Sequence, residues 1–266
     1  MPLPPDYHMH TQLCHHAEGV PYDLALSAAR RGLTEIGLSE HNPMPRDDFD
    51  NWHMALAALD GYLDGIRLAR ERVPQLTLRA ALEVDYIPGH EDWIRQLAAR
   101  HDWDYFIGSV HYIDGGWDID NPAKLDQWRA RDAFDVWAKY FDRLTAAASS
   151  GLFQIIGHPD LPKKFGFVPG CDCTPLFETF LDAAARHGVA IEINTAGLRK
   201  PCREMYPAPA FLRLARQRGV LLTFGSDAHH PDEVAADFPA AVALARDCGY
   251  TETVRFEQRR PIPVPL

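Results

Sequence analysis

No stretch of the 266-residue chain approaches 18 uninterrupted apolar residues, so no membrane-spanning helix is expected. The opening, MPLPPDYHMH, has neither a basic n-region nor an apolar h-region, and no signal peptide is expected there. Cysteine is scarce. The five thiols, Cys14, Cys171, Cys173, Cys202 and Cys248, are odd in number and scattered, which argues against a disulfide framework and points to a reducing, cytoplasmic home. Cys171-Asp-Cys173 lacks the second cysteine pair that a zinc clip needs. Positive charge is also short: 27 Lys and Arg stand against 37 Asp and Glu, a net charge of −10. A non-specific nucleic-acid binder needs a basic face, so nucleic acid is not expected as a partner, and neither is a membrane. There is no Gly/Ser linker and no low-complexity segment, which predicts one domain over residues 1–266. No G-x-S-x-G marks a serine nucleophile.

What the chain does have is alternation. Apolar runs of strand length occur at Glu35–Ser39, Leu76–Val84, Tyr105–Val110, Leu152–Gly157, Val189–Asn194 and Val220–Gly225, and a short one around residue 7 makes seven. Between them lie stretches with apolar residues at 3-to-4 spacing, rich in Ala, Leu and Arg: Tyr22–Arg31, Trp52–Val73, His90–Arg100, Asp126–Ala148, Pro175–His187, Pro209–Arg218 and Pro231–Asp247. Pro175 and Pro231 sit where first-turn prolines belong, Asp126 or Thr174 could cap, and Gly32, Gly188 and Gly219 follow helices where a left-handed residue is wanted. Strands alternating with helices predict βαβ units and a parallel sheet, an α/β fold that either closes into a barrel or stays open.

The strand ends favour the barrel. His8 and His10 are one residue apart, so an extended backbone puts both on one face. His15 and His16 follow in the next loop. Glu40 and His41, Glu83 and Asp85, His111, His158 and Asp160, Asn194 with Arg199, and Asp227 with His229 and His230 then close the successive strands. Nine of the 13 histidines lie at such positions, leaving only His53, His90, His101 and His187 in the expected helices. Strand C-termini converge on one face in α/β folds. Imidazoles and carboxylates gathered there are the donors of zinc, manganese and iron, and they outnumber what one ion needs. Two or three divalent ions sharing a carboxylate bridge are expected, with Glu83 in mid-series as the bridge; paired ions suit phosphate-ester hydrolysis.

HxH at the first strand, a loop histidine, then EH, LEVD, SVHY, GHPDL and SDAH together resemble the PHP (polymerase and histidinol phosphatase) metal-dependent phosphoesterases over essentially the whole chain. CHHAEG, HNPMP, IGSVHY, GHPDLPKKFG, NTAGLRKP, YPAP and GSDAHHP look specifically like the monofunctional histidinol-phosphate phosphatases within that family. The resemblance implies a distorted (β/α)7 TIM-like barrel with a trinuclear site of zinc, iron or manganese at the C-terminal ends of the strands. Carried over by motif, it implies that His8, His10, Glu83 and Asp227 hold the first ion, Glu83, His111 and His158 the second, and His16, His41 and His229 the third. The loop reads Cys14-His15-His16-Ala17, where relatives usually have one histidine; register favours His16 and leaves His15 as a neighbour facing substrate or backing a ligand. Register likewise favours His229 over His230.

The activity implied is hydrolysis of a small phosphate ester, L-histidinol phosphate, to L-histidinol and phosphate, a phosphoric-monoesterase step of histidine biosynthesis run by a monomer or homodimer. Glu83, Asp227, His229 and Arg199 are the expected catalytic residues, with His229 a candidate to protonate the leaving oxygen. Arg199, Lys163 and Lys164 are the expected phosphate contacts, since cations beyond the metals are needed. His15 and Tyr206, with Glu18, Asp47 and Asp48, lie in loops suited to the rest of the substrate. The alternatives are a phosphoesterase acting on another small ester or on nucleic acid, and a non-catalytic metal-stabilised module. An amidohydrolase is a further alternative, but the strand ends lack the bridging lysine it would want.

Overall fold

A parallel strand covered on both faces buries every residue, and the central strands here read as near-continuous apolar runs for that reason. The computed structural model describes residues 3–266. In chain order its elements are α1 (Pro21–Arg30), β1 (Glu35–His41), α2 (Leu59–Arg72), β2 (Thr77–Asp85), α3 (Glu91–Ala98), β3 (Tyr105–Ser109), β4 (Tyr112–Ile113), β5 (Trp117–Asp118), α4 (Leu125–Arg129), α5 (Ala133–Ser149), β6 (Ile155–Ile156), α6 (Thr174–His187), β7 (Ala190–Asn194), α7 (Pro209–Gln217), β8 (Leu222–Gly225), α8 (Phe238–Asp247), β9 (Glu252–Glu257) and β10 (Arg260–Pro265). Six strands form one parallel sheet in the order β1-β2-β3-β6-β7-β8. β4 with β5 and β9 with β10 are separate antiparallel hairpins.

The expected first strand is not a regular strand. Asp6–His10 makes only isolated bridges, Asp6 to Ile36 of β1 and Met9 to Ala228 beyond β8. It nevertheless bonds on both sides. Gly37 N–H donates to Asp6 O at 2.8 Å and Ser39 N–H to Met9 O at 3.2 Å, while Tyr7 N–H donates to Phe224 O at 3.0 Å and His10 N–H to Ala228 O at 2.9 Å. The segment therefore lies between the two edges of the six-stranded sheet. Its irregularity has a steric origin: Tyr7 and His8 are consecutive yet both face inward. The Tyr7 ring packs on Tyr105 and Phe256, and His8 bonds Glu192. A two-residue pleat cannot do that.

The pleat also explains why the site is where it is. Ala81, Tyr105, Ile107, Ile155 and Ala190 pack together on the inner face, closed from below by Val254 and Phe256 of β9. Their neighbours Ala80, Leu82, Phe106, Ile156 and Ile191 join the outer core under the helices. Counting on by two from the inner set gives Glu83, Asp85, Ser109, His111, Gly157, Glu192 and Asn194. The same face is apolar at its base and ionisable at its top. Room inside is tight. A Cβ on Gly37 would overlap the Tyr105 hydroxyl, and one on Gly225 would overlap Glu192 and lie 2.5 Å from the His8 Cβ.

Several boundaries differ from the expected ones. The stretch from Trp52 begins as a loop, and α2 starts only at Leu59, so His53 is not helical. The stretch from Asp126 breaks in two, and Asp132, not Asp126, caps the longer helix by accepting from Phe134 and Asp135 N–H. Thr174 does not cap α6; its own N–H is accepted by Asp172 at 2.9 Å. Pro231 opens a single 3-10 turn ahead of α8, and the strand near Leu152 shortens to two residues. Gly32, Gly188 and Gly219 all take positive φ after their helices, as expected.

Candidate metal centre

The inner-face count and the strand-end loops bring His8, His10, His41, Glu83, His111, His158 and Asp227 to one point at the top of the sheet, and all except Asp227 are fully or almost fully buried. Glu83 is the hub. Its Oε2 lies 3.3 Å from His8 Nε2, 3.5 Å from His10 Nε2 and 2.9 Å from His41 Nδ1. Its Oε1 lies 3.0 Å from His158 Nε2 and 3.7 Å from His111 Nε2, and accepts from Ser109 Oγ at 2.6 Å. Each oxygen thus faces a different group of imidazoles. Asp227 Oδ1 is 3.3 Å from His10 Nε2 and 3.8 Å from His8 Nε2. His229 and His16 meet at 3.0 Å, Nε2 to Nε2, nearer the solvent. Asp227 and His158 both hold positive φ, at 51° and 27°, a conformation that non-glycine residues keep only when their surroundings fix it.

The second nitrogen of most of these rings is anchored. His8 Nδ1 bonds Glu192 at 2.9 Å and His111 Nδ1 bonds Asp85 at 3.0 Å, while His10 Nδ1 lies 3.4 Å from Glu40 without a hydrogen bond. His16 and His229 use backbone carbonyls, Cys14 O at 2.7 Å and Asp227 O at 3.0 Å. A neutral ring held this way would present its other nitrogen with a lone pair toward the centre, as a metal ligand must. There the buried Nε2 atoms of His8 and His10 and Oε2 of Glu83 have no hydrogen-bond partner. A bare buried polar atom costs about 1–3 kcal/mol, so three facing one another is unfavourable unless a cation sits among them. Groups able to hold an ion are His8-His10-Asp227, His8-Glu83-His158, His10-His41-His229 and Cys14-His16-His229. The donor set fits divalent metal.

Electrostatics agree. Burial works against ionisation of Glu83, but His8, His41 and His111 outweigh it and hold its carboxyl well below the usual range. Burial works to lower His10 and His111, yet the carboxylates around them prevail, and their pKa values rise to about 9 and about 10. His41 goes the other way: burial and the neighbouring His10 push it down to about 3. His229 is lowered for the same two reasons. A neutral imidazole is the form in which His229 could donate a lone pair to an ion.

A cavity of about 540 Å3 opens over the centre, with His15, His16, Trp52, Asp120, Lys164, Lys200 and Tyr206 in its walls. Three of the expected phosphate contacts fare differently. Lys164 is on the wall, paired with Asp120 at 2.9 Å. Lys163 is buried behind it, bonded to Asp160, Glu204 and Met205 O at 2.7–2.8 Å, so it has no donor free for a substrate. Arg199 is also off the wall; it binds Ser226 O at 2.8 Å and pairs with Glu233 at 3.2 Å, which braces the loop that carries Asp227, and its buried Nη1 has no hydrogen-bond partner. Lys200, the next residue, does face the cavity, and its ammonium makes no hydrogen bond or ion pair with the described residues. Of the pairs left open by register, His16 and His229 sit at the centre, while His15 lies at the cavity edge with φ 65° and His230 turns toward Glu18 and Asp232. Glu192 and His53 were not foreseen. The signal for Glu192 was present: a lone acid inside the apolar run of Val189–Asn194 must be buried and therefore partnered.

The carboxylates at the rim should make the protein acid-sensitive. Burial opposes ionisation of Asp50 and Asp120, but His53 and Tyr112 for the first, and Lys164 and His111 for the second, bring each down to about 2. A depressed carboxyl pKa contributes stability above its unfolded value and loses it as pH falls toward the folded value. Urea unfolding is therefore expected to show a decline between pH 4 and pH 2, about 1–2 kcal/mol for each residue after screening. Asp50→Asn should flatten that decline; an unchanged profile would contradict the assignment.

Residues 6–196 match the model of the PHP domain family. The "Probable histidinol-phosphatase" of Deinococcus radiodurans is 42% identical over 260 residues, spanning 97% of this chain and 98% of that protein. The "Histidinol-phosphatase" of Bacillus subtilis is 30% identical, covering 88% and 97%. Among solved structures, histidinol phosphate phosphatase from Lactococcus lactis, complexed with zinc, L-histidinol and phosphate, superposes with a TM-score of 0.84 at 21% identity, covering 98% of this chain and all of that one.

Proposed function

The chain belongs to the PHP domain family, and on that premise we propose that it hydrolyses L-histidinol phosphate to L-histidinol and phosphate, as a metal-dependent phosphoric monoesterase of histidine biosynthesis. The observation that carries this is the buried, unpartnered donor set around Glu83 at the floor of a cavity sized for a small ester, in a chain 42% identical to a relative of that name. His8, His10, Glu83 and Asp227 would hold one ion, Glu83, His111 and His158 a second, and His16, His41 and His229 a third; zinc, iron and manganese all suit such donors. Bound divalent ions supply positive charge against the transferring phosphoryl group and make an attacking water more acidic.

The chain's own residues do the rest. Glu83 keeps two groups of imidazoles in register through its two oxygens. Glu192, Glu40 and Asp85 fix the rings. Arg199 braces the Asp227 loop. Lys200, free on the wall, and Lys164 would meet the phosphate oxygens. Tyr206 and Trp52 close the cavity sides and exclude water from the ester. In this reading Asp6–His10 acts as the seventh strand of a distorted (β/α)7 barrel that is a single domain, and a monomer or a homodimer would be equally competent. The free thiols are in keeping with a cytoplasmic enzyme, and no helix among the described residues is long and apolar enough to cross a membrane.

Phosphate release from histidinol phosphate, p-nitrophenyl phosphate, a panel of sugar phosphates and single-stranded DNA tests the reading. Histidinol phosphate should lead in kcat/KM by at least about 10²-fold, because a pocket built to bond a substrate's polar groups rejects those lacking them. Equal rates across the panel, or preferred cleavage of DNA, would refute it.

A further inference from the structure

We propose that His53, anchored by Asp50, is a positioning residue for the metal ligand His111, acting through Asp85; the inference rests on the metal-centre reading above. His53 bridges two carboxylates, with Nδ1 2.7 Å from Asp50 Oδ2 and Nε2 3.0 Å from Asp85 Oδ2. The other Asp85 oxygen, Oδ1, takes both the ring Nδ1 of His111, at 3.0 Å, and its backbone N–H, at 3.1 Å. Tyr112, the residue after His111, donates its hydroxyl back to Asp50, so the chain closes on itself. His53, Asp85 and His111 are all buried. No water is needed to complete the set, and only His111 Nε2 is left pointing at Glu83.

All three ring-backing carboxylates accept a backbone N–H, and Asp85 differs in that its outer oxygen is held by a second imidazole. Glu192 accepts from the His158 backbone N–H, and Glu40 from the backbone N–H groups of Thr11 and His41. Asp85 Oδ2 has a side chain as its partner, and that side chain comes from a loop 32 positions earlier. Remove it and the outer oxygen becomes a bare buried charge, free to turn toward His111 or to draw in water. Either change loosens the ring. The same loop also shapes the cavity: Trp52 lines it and stacks on His53 with ring centroids 4.0 Å apart, and on Tyr112 at an interplanar angle of 4°. Two consecutive residues thus set the cavity wall and the orientation of a ligand buried beneath it.

The test is a titration of metal-free protein with Zn2+, read by calorimetry, together with the visible spectrum of the Co2+-loaded protein. His53→Ala should keep the far-ultraviolet dichroism of the wild type, lose about 10–100-fold in affinity for one ion only, and alter the Co2+ absorption bands. kcat should fall more than KM changes. His53→Gln supplies an amide that donates to Asp85 but cannot also hold Asp50, so it should recover part of the loss. A His53→Ala isotherm and Co2+ spectrum matching the wild type overturn the proposal. Should His53→Ala fail to fold, His53→Gln carries the test alone, with a loss of about threefold to tenfold expected at that ion and a wild-type isotherm overturning it. Wild-type protein that binds metal but releases no phosphate from histidinol phosphate would refute the proposed function and leave this comparison standing.

Discussion

Glu83→Gln is expected to abolish phosphate release, lowering kcat by at least about 10³-fold, and to leave the purified protein short of at least one ion per chain. The substitution barely changes shape. Its effect is electrical. Both Glu83 oxygens face imidazole nitrogens, Oε2 toward His8, His10 and His41 and Oε1 toward His111 and His158. An amide can place only one oxygen, so one of the two groups would face an NH2 that repels a cation. The buried anion would also make it tolerable to bring positive ions together, since charge is weakly screened there. Metal analysis and phosphate release on the same preparation check this. Near-normal turnover, or a full complement of ions, would remove Glu83 from the bridging role.

Why the site was legible before the fold was known follows from the pleat. The residues that gather are those at or just past strand ends, and in a parallel sheet those ends lie on one side whatever the strand order. His41, Glu83, His111, His158 and Asp227 could be read that way without knowing a single contact. The two-residue period then fixes which face they share, apart from Asp6–His10, where the consecutive inward residues Tyr7 and His8 break the rule. The outer support was less legible because it depends on which loop reaches over which strand. His53 looked helical, since the Ala-Leu-rich stretch behind it runs on without a stop signal, and nothing local says that Asp50 will bend the chain back over Asp85. The cations were less legible for another reason. Arg199, Lys163 and Lys200 are all basic residues in strand-end loops, and only the fold decides which is taken up by Glu233, by Asp160 and Glu204, or by nothing. The hairpins β4–β5 and β9–β10 went unseen because their runs are short and, in the last, broken by prolines at Pro261, Pro263 and Pro265.

Stripping the ions with a chelator should have the broadest effect: no phosphate release, a lower melting temperature, and recovery of both on adding back zinc, manganese or iron. Without ions, protons are expected in their place. Burial disfavours charge on His10 and His111, but their carboxylate neighbours win and keep them near 9 and 10, so both carry a proton at neutral pH. An ion must displace such protons to use the ring nitrogens. Metal affinity should therefore rise from pH 6 to pH 9, and calorimetry in buffers of different ionisation enthalpy should show proton release on binding. Ions that bind the folded chain alone stabilise it by about 2.7 kcal/mol at a free concentration one hundred times Kd. For a chain of this size each kcal/mol moves the melting temperature by roughly 2–4 °C, so a rise of about 5–10 °C on reloading is expected. The pH trend separates this account from a merely structural metal clip of surface carboxylates, whose affinity would be flat above pH 6 because no group there remains to be deprotonated. A chelated sample that still releases phosphate at the full rate, or melts where the loaded protein does, would mean that the bare nitrogens of His8 and His10 have some other partner.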